Sequence, residues 1–554
     1  MVFQPINDIA EICFKKGILH AIISPGSRNA PLTLAFARHP KIQTYVVPDE
    51  RSAGFIGLGM AIETSGAIVL ICTSGTAVLN YGPAIAEAYF QRIPLLVLTA
   101  DRPPELIDHQ DGQTIYQEGV YGRHVKASMN FDADYNAESA SGIISNSLQN
   151  AINIATNFPQ GPVHINIPFR EPFYPDARDF TYNSIQLKEP VNQEFNLAES
   201  EWEELSLIWS KSHSILVLGR QSNPSVELLQ LLDRLSQNIV VAGDIISNLH
   251  KLTRTSRNLD SILNSPDLVP DLLITYGKSG ISKRLKLLFR KRKPTNHWHI
   301  QPAGDAADTY QSITKIIRVS PDDFFKHSIN WDTSTDISLN NVWNNSEAAA
   351  KNIINRMVDQ KGFGEFNAVE TILKVLPQET QLHLANSLSV RLANLIGLYD
   401  PSVDVYANRG TSGIDGSNST SMGMAILSEK PVVLITGDMA FFYDRNAFWH
   451  NIVTTNLFII ILNNHAGGIF GVIDGPAGQP ELEEYFETNQ KLTAKYLARE
   501  YNLEYYHAAS KEELEKHLSQ FFIPGNGPGI LEITTDLTYN KSVFQTLKEE
   551  LNKH

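Results

Sequence analysis

The 554-residue chain has few of the features that mark membrane, secreted or nucleic-acid-binding proteins. Its two cysteines, Cys13 and Cys72, stand in unrelated contexts and leave neither a disulfide framework nor a cysteine-based zinc site. A net charge of −14 disfavours a nucleic acid as partner. The longest apolar runs, such as residues 457–462, are far shorter than a membrane span, and residues 1–20 lack the pattern of a signal peptide. We therefore expect a cytoplasmic protein without a membrane segment.

The sequence does contain a repeated alternation of short apolar runs with helical stretches. The runs are rich in Ile, Val and Leu, which indicates buried parallel strands joined by helical crossovers. They lie at residues 21–24, 45–47, 67–72, 94–99, 163–167, 215–218, 239–241, 272–275, 297–300, 381–385, 404–407, 432–436, 457–462 and 530–534. The predicted fold class is therefore α/β.

The length and two changes in composition divide the chain into three predicted domains. The candidate linkers are a segment with proline and tyrosine at residues 171–184 and a polar segment at residues 330–347. The predicted domains are doubly wound parallel-sheet units at residues 1–182, 190–335 and 345–554. The first and last share one rhythm of strands and helices, so we expect two copies of one architecture with a different unit between them.

The most informative segment lies in the last third of the chain, where two predicted strands end in polar residues. The first strand ends in Gly437 and Asp438. After a predicted helix at residues 444–453, the second ends in Asn463 and Asn464. Parallel neighbouring strands bring their carboxyl ends to one edge of a sheet, so these side chains should lie close together. One carboxylate, one amide oxygen and a nearby carbonyl suit Mg²⁺ whose shell is completed by phosphate oxygens and water.

This segment resembles the motif of thiamine diphosphate-dependent enzymes, in which Gly-Asp is followed by Asn-Asn at a similar interval. The resemblance implies that Gly437 contacts the diphosphate and that the side chains of Asp438 and Asn464 bind Mg²⁺ or Mn²⁺. It also implies that Ala466 binds the metal through its backbone carbonyl. Ordinary turn chemistry explains either half of the motif alone. The two halves together, each directly after a buried strand, favour the metal site.

Enzymes of this family also need a carboxyl group beside the aminopyrimidine ring of the coenzyme, placed after a strand of another α/β domain. Glu50 follows a predicted strand and begins a helix of small residues, which permit close helix packing at a subunit interface. The resemblance makes Glu50 the catalytic acid, with partial burial favouring the neutral carboxyl, and Asp49 is the alternative. Ser74 and Gly75 begin another helix, so their amides are candidates to approach the pyrimidine. A simple strand–helix turn explains these two equally well.

Further segments extend the resemblance along nearly the whole chain. They lie at residues 24–32, 49–54, 99–106, 386–391 and 408–416. Together they are similar to the MenD family of 2-succinyl-5-enolpyruvyl-6-hydroxy-3-cyclohexene-1-carboxylate synthases. The resemblance implies a transferase of menaquinone biosynthesis. It further implies that thiamine diphosphate attacks the 2-oxo carbon of 2-oxoglutarate, that CO₂ leaves, and that the carbanion adds in a 1,4 fashion to isochorismate.

Both of these substrates carry two carboxylates, and guanidinium groups bind carboxylates through paired hydrogen bonds. By the resemblance, 2-oxoglutarate or its adduct is held by Ser387, Arg391 and Arg409. Isochorismate is held by Ser27, Arg28, Arg102, Gln113 and Lys283. The resemblance also implies that Ile414 supports the bent coenzyme and that Ile469 and Phe470 line the reaction pocket, with ordinary core packing as the alternative for all three. Lys283 stands in a basic helical run, so a solvated helix face is the alternative for it.

Other functions stay open at this point. Another 2-oxo acid decarboxylase or carboligase, such as an acetolactate synthase-like enzyme, would share the coenzyme motif but needs fewer arginines at strand ends. A binding protein without catalysis would share the fold, although Glu50, Asp438 and Asn464 together argue against it. A nicotinamide dehydrogenase needs a Gly-x-Gly-x-x-Gly turn after a strand, and the sequence has none in place.

The predicted acid and the predicted metal motif lie in different domains of the chain. In the family that the sequence resembles, they meet across two chains. We therefore expect a homodimer or a homotetramer, with active sites at the subunit interface. Small molecules, not nucleic acids or membranes, are the expected partners.

Overall fold

A computed structural model describes residues 4–133, 138–171, 174, 181–182, 185–187, 195–257, 259–260, 268–333, 337–358, 362–523 and 528–553. Most of the predicted linker at residues 171–184 lies outside this set. The described backbone forms three parallel sheets with helices between the strands, so the predicted α/β class is confirmed. Within the described stretches, no helix combines the length and the apolar character needed to cross a membrane.

The first sheet is built from the N-terminal third of the chain. Its strands are β1 His20–Ile23, β2 Gln43–Val46, β3 Ile68–Cys72, β4 Leu95–Asp101, β5 Ala127–Asn130 and β6 Val163–Pro168. Its helices are α1 Gln4–Lys15, α2 Ala30–Ala37, α3 Glu50–Thr64, α4 Thr76–Asn80, α5 Gly82–Gln91 and α6 Glu138–Thr156. The strand order is β2-β1-β3-β4-β6-β5. Strands β3, β4 and β6 are buried along their whole length, as continuous apolar runs predict.

The second sheet is built from the middle of the chain. Its strands are β7 Ile215–Gly219, β8 Val240–Gly243, β9 Leu272–Tyr276, β10 Asn296–Ile300 and β11 Lys315–Ile317. Its helices are α7 Glu199–Lys211, α8 Val226–Leu235, α9 Lys283–Lys291 and α10 Pro321–Ser328. The strand order is β11-β10-β9-β7-β8. Apolar side chains fill a core on each face of this sheet, so it is a buried layer between helices.

The third sheet is built from the last third of the chain. Its strands are β12 Gln381–Leu384, β13 Asp404–Tyr406, β14 Val432–Gly437, β15 Leu457–Asn463, β16 Glu504–Ala508 and β17 Gly529–Thr534. The helices are α11 Ile337–Val358, α12 Glu365–Lys374, α13 Leu388–Ile396, α14 Ser417–Leu427, α15 Asp438–Tyr443, α16 Ala494–Glu500, α17 Lys511–Phe521 and α18 Leu537–Lys553. The strand order is β13-β12-β14-β15-β17-β16. The first and third sheets therefore have the same order of strands, as the shared rhythm of the sequence predicts.

Contacts divide the chain into two compact units. The first comprises Met1–Asn192, Asn408–Val432 and Ala440–Leu457. The second comprises Gln193–Ala407, Val433–Met439 and Phe458–His554. Helix α14 thus folds with the first sheet, although the sequence places it in the last predicted domain. The predicted boundaries at residues 182, 190, 335 and 345 stay predictions.

Three strands, β5, β11 and β16, were not predicted, and each lies at an edge of its sheet. Their side chains are partly exposed, so they lack the continuous apolar run that marks a central strand.

The predicted linker at residues 330–347 was wrong in its second half, because α11 begins at Ile337. The buried residues of α11 include Leu339, Trp343 and Ala350, which recur at helical spacing and form an apolar face. The many polar residues between them made the segment resemble a linker.

The predicted helix at residues 444–453 was also wrong. Helix α15 begins directly at the strand end, at Asp438, and only a short 3₁₀ turn follows at Arg445–Phe448. Asp444 ends the helix and is buried. Its carboxylate accepts hydrogen bonds from the backbone N–H and the hydroxyl of Ser419 at 2.7 and 2.8 Å. The backbone of Asp444 has a φ of −105° and a ψ of 34°, outside the helical range, so α15 ends before it.

The small residues of α3 pack against α14 of the same chain, whereas the sequence suggested a subunit interface for them. A Cβ atom on Gly59 would lie 2.0 Å from the carbonyl oxygen of Thr420. A Cβ atom on Gly423 would lie 2.0 Å from the carbonyl oxygen of Ile56. Each glycine therefore lets the backbone of the other helix approach, and the two helices cannot be this close with any larger residue at either position.

We expect Gly59→Ala to destabilise the protein by about 1–3 kcal/mol or more, because the added methyl group must push two helix backbones apart. Urea unfolding followed by circular dichroism measures the change. Gly82→Ala is the matched control, since Gly82 is also helical and a Cβ atom there would meet nothing within 4 Å. Equal unfolding midpoints for the two variants would show that the close approach of α3 and α14 is not required.

Candidate active site

The ends of β14 and β15 lie side by side, since these strands are neighbours in the third sheet. Asp438 follows β14 and is 2% exposed, and Asn464 follows β15 and is 7% exposed. Gln490 joins the two strand ends. Its Nε2 donates to Asp438 Oδ2 at 2.6 Å and to Asn463 Oδ1 at 3.3 Å. The structure therefore brings the Gly-Asp and Asn-Asn halves of the predicted motif together at one sheet edge.

The side-chain amide of Asn464 is held at both of its ends. Its Oδ1 accepts a hydrogen bond from the backbone N–H of Ala466 at 2.9 Å. Its Nδ2 donates to Glu365 Oε1 at 2.5 Å. Burial raises the pKa of Glu365 to about 7, while the bond from Asn464 opposes the shift and the charge of Asp438 adds to it. Glu365 lies 99 residues before its partner, and no local motif identifies it.

A divalent cation fits the surroundings of Asp438. Burial raises the pKa of this carboxyl to about 6, and the groups that donate hydrogen bonds to it are neutral amides. The charged group that acts on it, Glu532, is also negative. A cation would offset the cost of burying this charge. Among the described residues, no cluster of three or more His, Cys, Asp or Glu side chains could hold a metal, so other ligands must come from amides, carbonyls or a bound phosphate.

Open space adjoins Gly437, the last residue of β14. A Cβ atom at this position would meet nothing within 4 Å. The next residue, Asp438, begins α15. Free space therefore lies beside the end of a strand and next to a buried carboxylate. These features fit a diphosphate bound through a metal ion.

A buried glutamate fixes the loop that follows β15. Glu532 is almost fully buried and accepts hydrogen bonds from Asn463 Nδ2 at 2.6 Å, the hydroxyl of Thr493 at 2.7 Å and the hydroxyl of Tyr505 at 2.6 Å. Asn463 in turn accepts from Gln490. The position of Gln490 beside Asp438 therefore depends on this network, of which the sequence identified only Asn463.

Glu50 is the first residue of α3, as predicted, and its side chain is half-buried. Burial raises its pKa, and a backbone hydrogen bond and one from Asn80 oppose the shift. Asp49 has a different role, since it caps α3 by accepting from two backbone amides. It also accepts from Asn446 Nδ2 at 2.7 Å. The carboxylate of Asp49 is therefore occupied by structural contacts, whereas the Glu50 side chain is hydrogen-bonded to Asn80.

The turn that begins α4 carries Ser74 and Gly75. Gly75 has a φ of +85°, and its N–H donates to Gln117 Oε1 at 2.8 Å. A ligand would have to displace Gln117 to use this amide. Gln113 lies against the same turn, because a Cβ atom on Gly75 would be 3.3 Å from its Cα. Within the described part of the chain, the buried hydroxyl of Ser74 has no hydrogen-bond partner, so it is a polar group that a ligand could satisfy.

The two predicted arginines of the first sheet have protein partners. Arg28 is 4% exposed, and its Nη1 donates to the carbonyl oxygen of Phe169 at 2.9 Å. Its Nη2 lies 3.8 Å from Glu171. Arg102 Nη1 lies 3.7 Å from Asp111. A substrate carboxylate that binds these arginines would therefore replace Glu171 beside Arg28 and Asp111 beside Arg102. Ser27, next to Arg28, is exposed.

The segment after β13 carries Arg409, which is buried, and Ile414, which is half-buried. Glu87 of α5 holds this segment. Its Oε1 accepts from the N–H of Gly410 at 2.7 Å, and its Oε2 accepts from the N–H and the hydroxyl of Thr411, both at 2.6 Å. Arg409 and Ile414 thus belong to the same compact unit as Glu50. The sequence did not identify Glu87.

An open cleft of about 920 Å³ in the second unit brings three predicted residues together. Lys283, Arg391 and Ile469 line it, with further apolar side chains from α13 and α18. Arg391 Nη1 donates to the carbonyl oxygen of Ser387 at 2.6 Å, and Ser387, which directly precedes α13, has a φ of +78°. Lys283 therefore faces a cleft, where the sequence left a solvated helix face as the alternative. Phe470 follows Ile469 and packs on Phe486, with ring centroids 5.8 Å apart.

Three protein-family models match successive parts of the chain. Residues 6–120 match the family described as thiamine pyrophosphate enzyme, N-terminal TPP binding domain. Residues 185–384 match the middle domain of thiamine pyrophosphate, and residues 388–533 match the thiamine pyrophosphate enzyme, C-terminal TPP binding domain.

Curated relatives match over almost the full length of the chain. One from Cytophaga hutchinsonii is 42% identical over 560 residues and covers 99% of both chains. One from Flavobacterium johnsoniae is 39% identical, covering 98% of both, and one from Porphyromonas gingivalis is 35% identical, covering 98% of this chain and 96% of its own. All three are named 2-succinyl-5-enolpyruvyl-6-hydroxy-3-cyclohexene-1-carboxylate synthase.

Proposed function

The chain belongs to the family of 2-succinyl-5-enolpyruvyl-6-hydroxy-3-cyclohexene-1-carboxylate synthases within the thiamine pyrophosphate enzymes, and from this premise we propose its reaction. It decarboxylates 2-oxoglutarate and adds the remaining four-carbon unit to isochorismate, as a transferase of menaquinone biosynthesis. The products are 2-succinyl-5-enolpyruvyl-6-hydroxy-3-cyclohexene-1-carboxylate and CO₂.

The observation that carries the proposal is the cleft lined by Lys283, Arg391 and Ile469. It lies in the same compact unit as Asp438 and Asn464. Cations beside apolar side chains suit a substrate that has carboxylates on a carbon skeleton. Four cationic side chains and two carboxylates line the cleft: Lys283, Arg284, Arg391, Lys548, Asp260 and Asp474. An acetolactate synthase-like enzyme acts on smaller and more apolar acceptors and would not need this excess of cations.

In this proposal the second unit holds the metal and the diphosphate. Asp438, Asn464 and the backbone carbonyl of Ala466 hold Mg²⁺ or Mn²⁺, and Gly437 leaves room for the diphosphate. When bound, thiamine diphosphate supplies a carbanion that attacks a 2-oxo carbon. Glu50 exchanges a proton with the pyrimidine ring, and its raised pKa keeps more of the carboxyl protonated near neutral pH.

The remaining residues bind the substrates and shape the site. Ser387, Arg391 and Arg409 bind the carboxylates of 2-oxoglutarate. Isochorismate is bound by Ser27, Arg28, Arg102, Gln113 and Lys283. Ile414, Ile469 and Phe470 provide apolar walls, which exclude water from the reacting carbon. The turn at Ser74 and Gly75 lies next to the pyrimidine.

The proposal includes a homodimer or homotetramer, in which one chain supplies Glu50 and its partner supplies the metal ligands. It also includes a cytoplasmic location, which the two free and buried cysteines fit. Sedimentation of the purified chain measures the first of these. A monomer that is fully active would contradict it.

A direct assay tests the reaction. The purified chain, thiamine diphosphate and Mg²⁺ are incubated with isochorismate and 2-oxoglutarate, and isochorismate consumption and CO₂ release are followed together. We expect both only when all components are present. Replacing both substrates by pyruvate alone should release no CO₂. Turnover of pyruvate with no use of 2-oxoglutarate would favour the acetolactate synthase-like alternative.

We expect Arg391→Ala to lower kcat/KM for 2-oxoglutarate by about 10²-fold, because removing one partner of a charged pair that becomes buried when the substrate binds costs roughly 2–5 kcal/mol. The Kd for thiamine diphosphate, measured by titration calorimetry with Mg²⁺, should not change. Arg356→Ala is the matched control, since its exposed ion pair with Glu550 contributes little. A variant with normal kcat/KM would remove Arg391 from the substrate site.

A further inference from the structure

Glu365 has a carboxylate whose position is fixed by the surrounding backbone. It is the first residue of α12 and is 4% exposed. Its backbone N–H donates to Asn540 Oδ1 at 3.0 Å. Gly364 precedes it, and a Cβ atom there would lie 2.6 Å from the same Oδ1. The start of α12 therefore sits tightly against the start of α18, and the Glu365 side chain extends from a fixed point.

The contact with Asn464 is selective for one orientation of the amide. Glu365 accepts from the –NH₂ end of the amide, while the backbone N–H of Ala466 donates to its carbonyl end, so the two contacts fit only one of the two amide orientations. Glu365 Oε1 lies 2.5 Å from Asn464 Nδ2, which directs Oδ1 away from α12. The Oδ1 atom accepts one bond from the N–H of Ala466 and retains a second lone pair. A metal ion needs that lone pair.

We propose that Glu365 is a positioning residue that fixes the side-chain amide of Asn464 with its oxygen toward the metal ion. The inference rests on the proposed function, because it takes Asn464 as a metal ligand. Groups that hold a metal ligand in place typically change metal affinity by 10–100-fold when they are removed. The effect should therefore appear in metal binding itself, before any turnover.

Three variants separate this role from a general effect on the fold. Glu365→Met keeps the length and burial of the side chain but removes the acceptor. Glu365→Gln keeps one acceptor oxygen. Glu370→Met is the matched control, because Glu370 is also a buried glutamate of α12 and pairs with Lys374 and the hydroxyl of Tyr399 instead.

The readout is the Kd for Mn²⁺, measured by electron paramagnetic resonance on the full chain with saturating thiamine diphosphate. We expect Glu365→Met to raise this Kd by about 10–100-fold. Glu365→Gln should restore most of the affinity, and Glu370→Met should leave it unchanged. An unchanged Kd for Glu365→Met overturns the proposal. So does an equal loss in Glu365→Met and Glu370→Met, which would mean that α12 is merely disturbed.

The same measurement in an Asn464→Ala background tests whether Glu365 acts through Asn464. We expect Glu365→Met to cause no further rise in Kd when the amide is already absent. A further rise of the same size in this background would overturn the proposal. If the unaltered chain fails to bind Mn²⁺ with thiamine diphosphate, the proposed function fails. If the unaltered chain binds and Glu365→Met binds equally well, only the present inference fails.

Discussion

Replacing Glu50 by glutamine is expected to slow exchange of the C2 proton of bound thiamine diphosphate by about 10²–10⁴-fold, the range in which a positioned acid or base contributes. Glutamine has nearly the same shape but cannot exchange a proton with the pyrimidine ring. The Kd for the coenzyme should change little, since the side chain at position 50 is only half-buried and most of the binding is assigned to the metal and diphosphate. Quenched-flow deuterium exchange read by NMR measures the rate.

Two matched variants identify the acid. Asp49→Asn preserves a side chain able to cap α3, and we expect its exchange rate to stay near that of the unaltered chain. Glu63→Gln changes another glutamate of α3, near its other end, and should have no effect. A slow Asp49→Asn variant beside a normal Glu50→Gln variant would move the catalytic role to Asp49.

Replacing Asp438 by alanine is expected to abolish Mg²⁺-dependent binding of thiamine diphosphate, with the Kd rising by at least about 10²-fold. Asp438 is the single carboxylate in the proposed ligand set, so its loss removes the only negative charge that the protein places on the cation. Titration calorimetry with and without Mg²⁺ measures the effect. Asp438→Asn retains an oxygen ligand without its charge, and we expect an intermediate Kd.

Stability separates this result from misfolding. The pKa of Asp438 is raised from 3.8 to about 6, so the folded chain binds its proton more tightly than the unfolded chain does. Ionisation at neutral pH then destabilises the metal-free fold, and this penalty fades as the pH falls through about 6 toward 4. The metal-free Asp438→Ala variant should therefore be at least as stable as the unaltered chain at pH 7. Normal coenzyme affinity in this variant would contradict the metal site.

The strands that end in candidate ligands were predictable because they are central and buried. Their apolar runs are continuous, and parallel packing then fixes where Asp438 and Asn464 must meet. The edge strands β5, β11 and β16 were missed, since partial exposure breaks the run. Helix α11 was missed for the opposite reason, because its apolar face is spread through a polar segment.

The groups that support the candidate site could not be predicted from the sequence. Glu365 acts on a residue 99 positions away, Gln490 on one 52 positions away and Glu87 on one 323 positions away. No local sequence pattern connects residues this far apart. Taken singly, each of the three supporting residues resembles an ordinary helix or loop residue. The cleft that joins Lys283 to Arg391 depends in the same way on how the second and third sheets meet within one unit.

The hydrogen bonds between Glu87 and the segment after β13 have a consequence for the synthesis of the chain on the ribosome. The ribosome makes α5 long before it makes Gly410, and at about 5–20 residues per second the intervening 323 residues take roughly 15–65 s. Until that interval ends, the N-terminal part of the first unit lacks both the partner of Glu87 and the helix that covers Gly59. The first unit can therefore complete its packing only after residues 408–432 have been made, so its N-terminal part must wait for a segment from the last third of the chain.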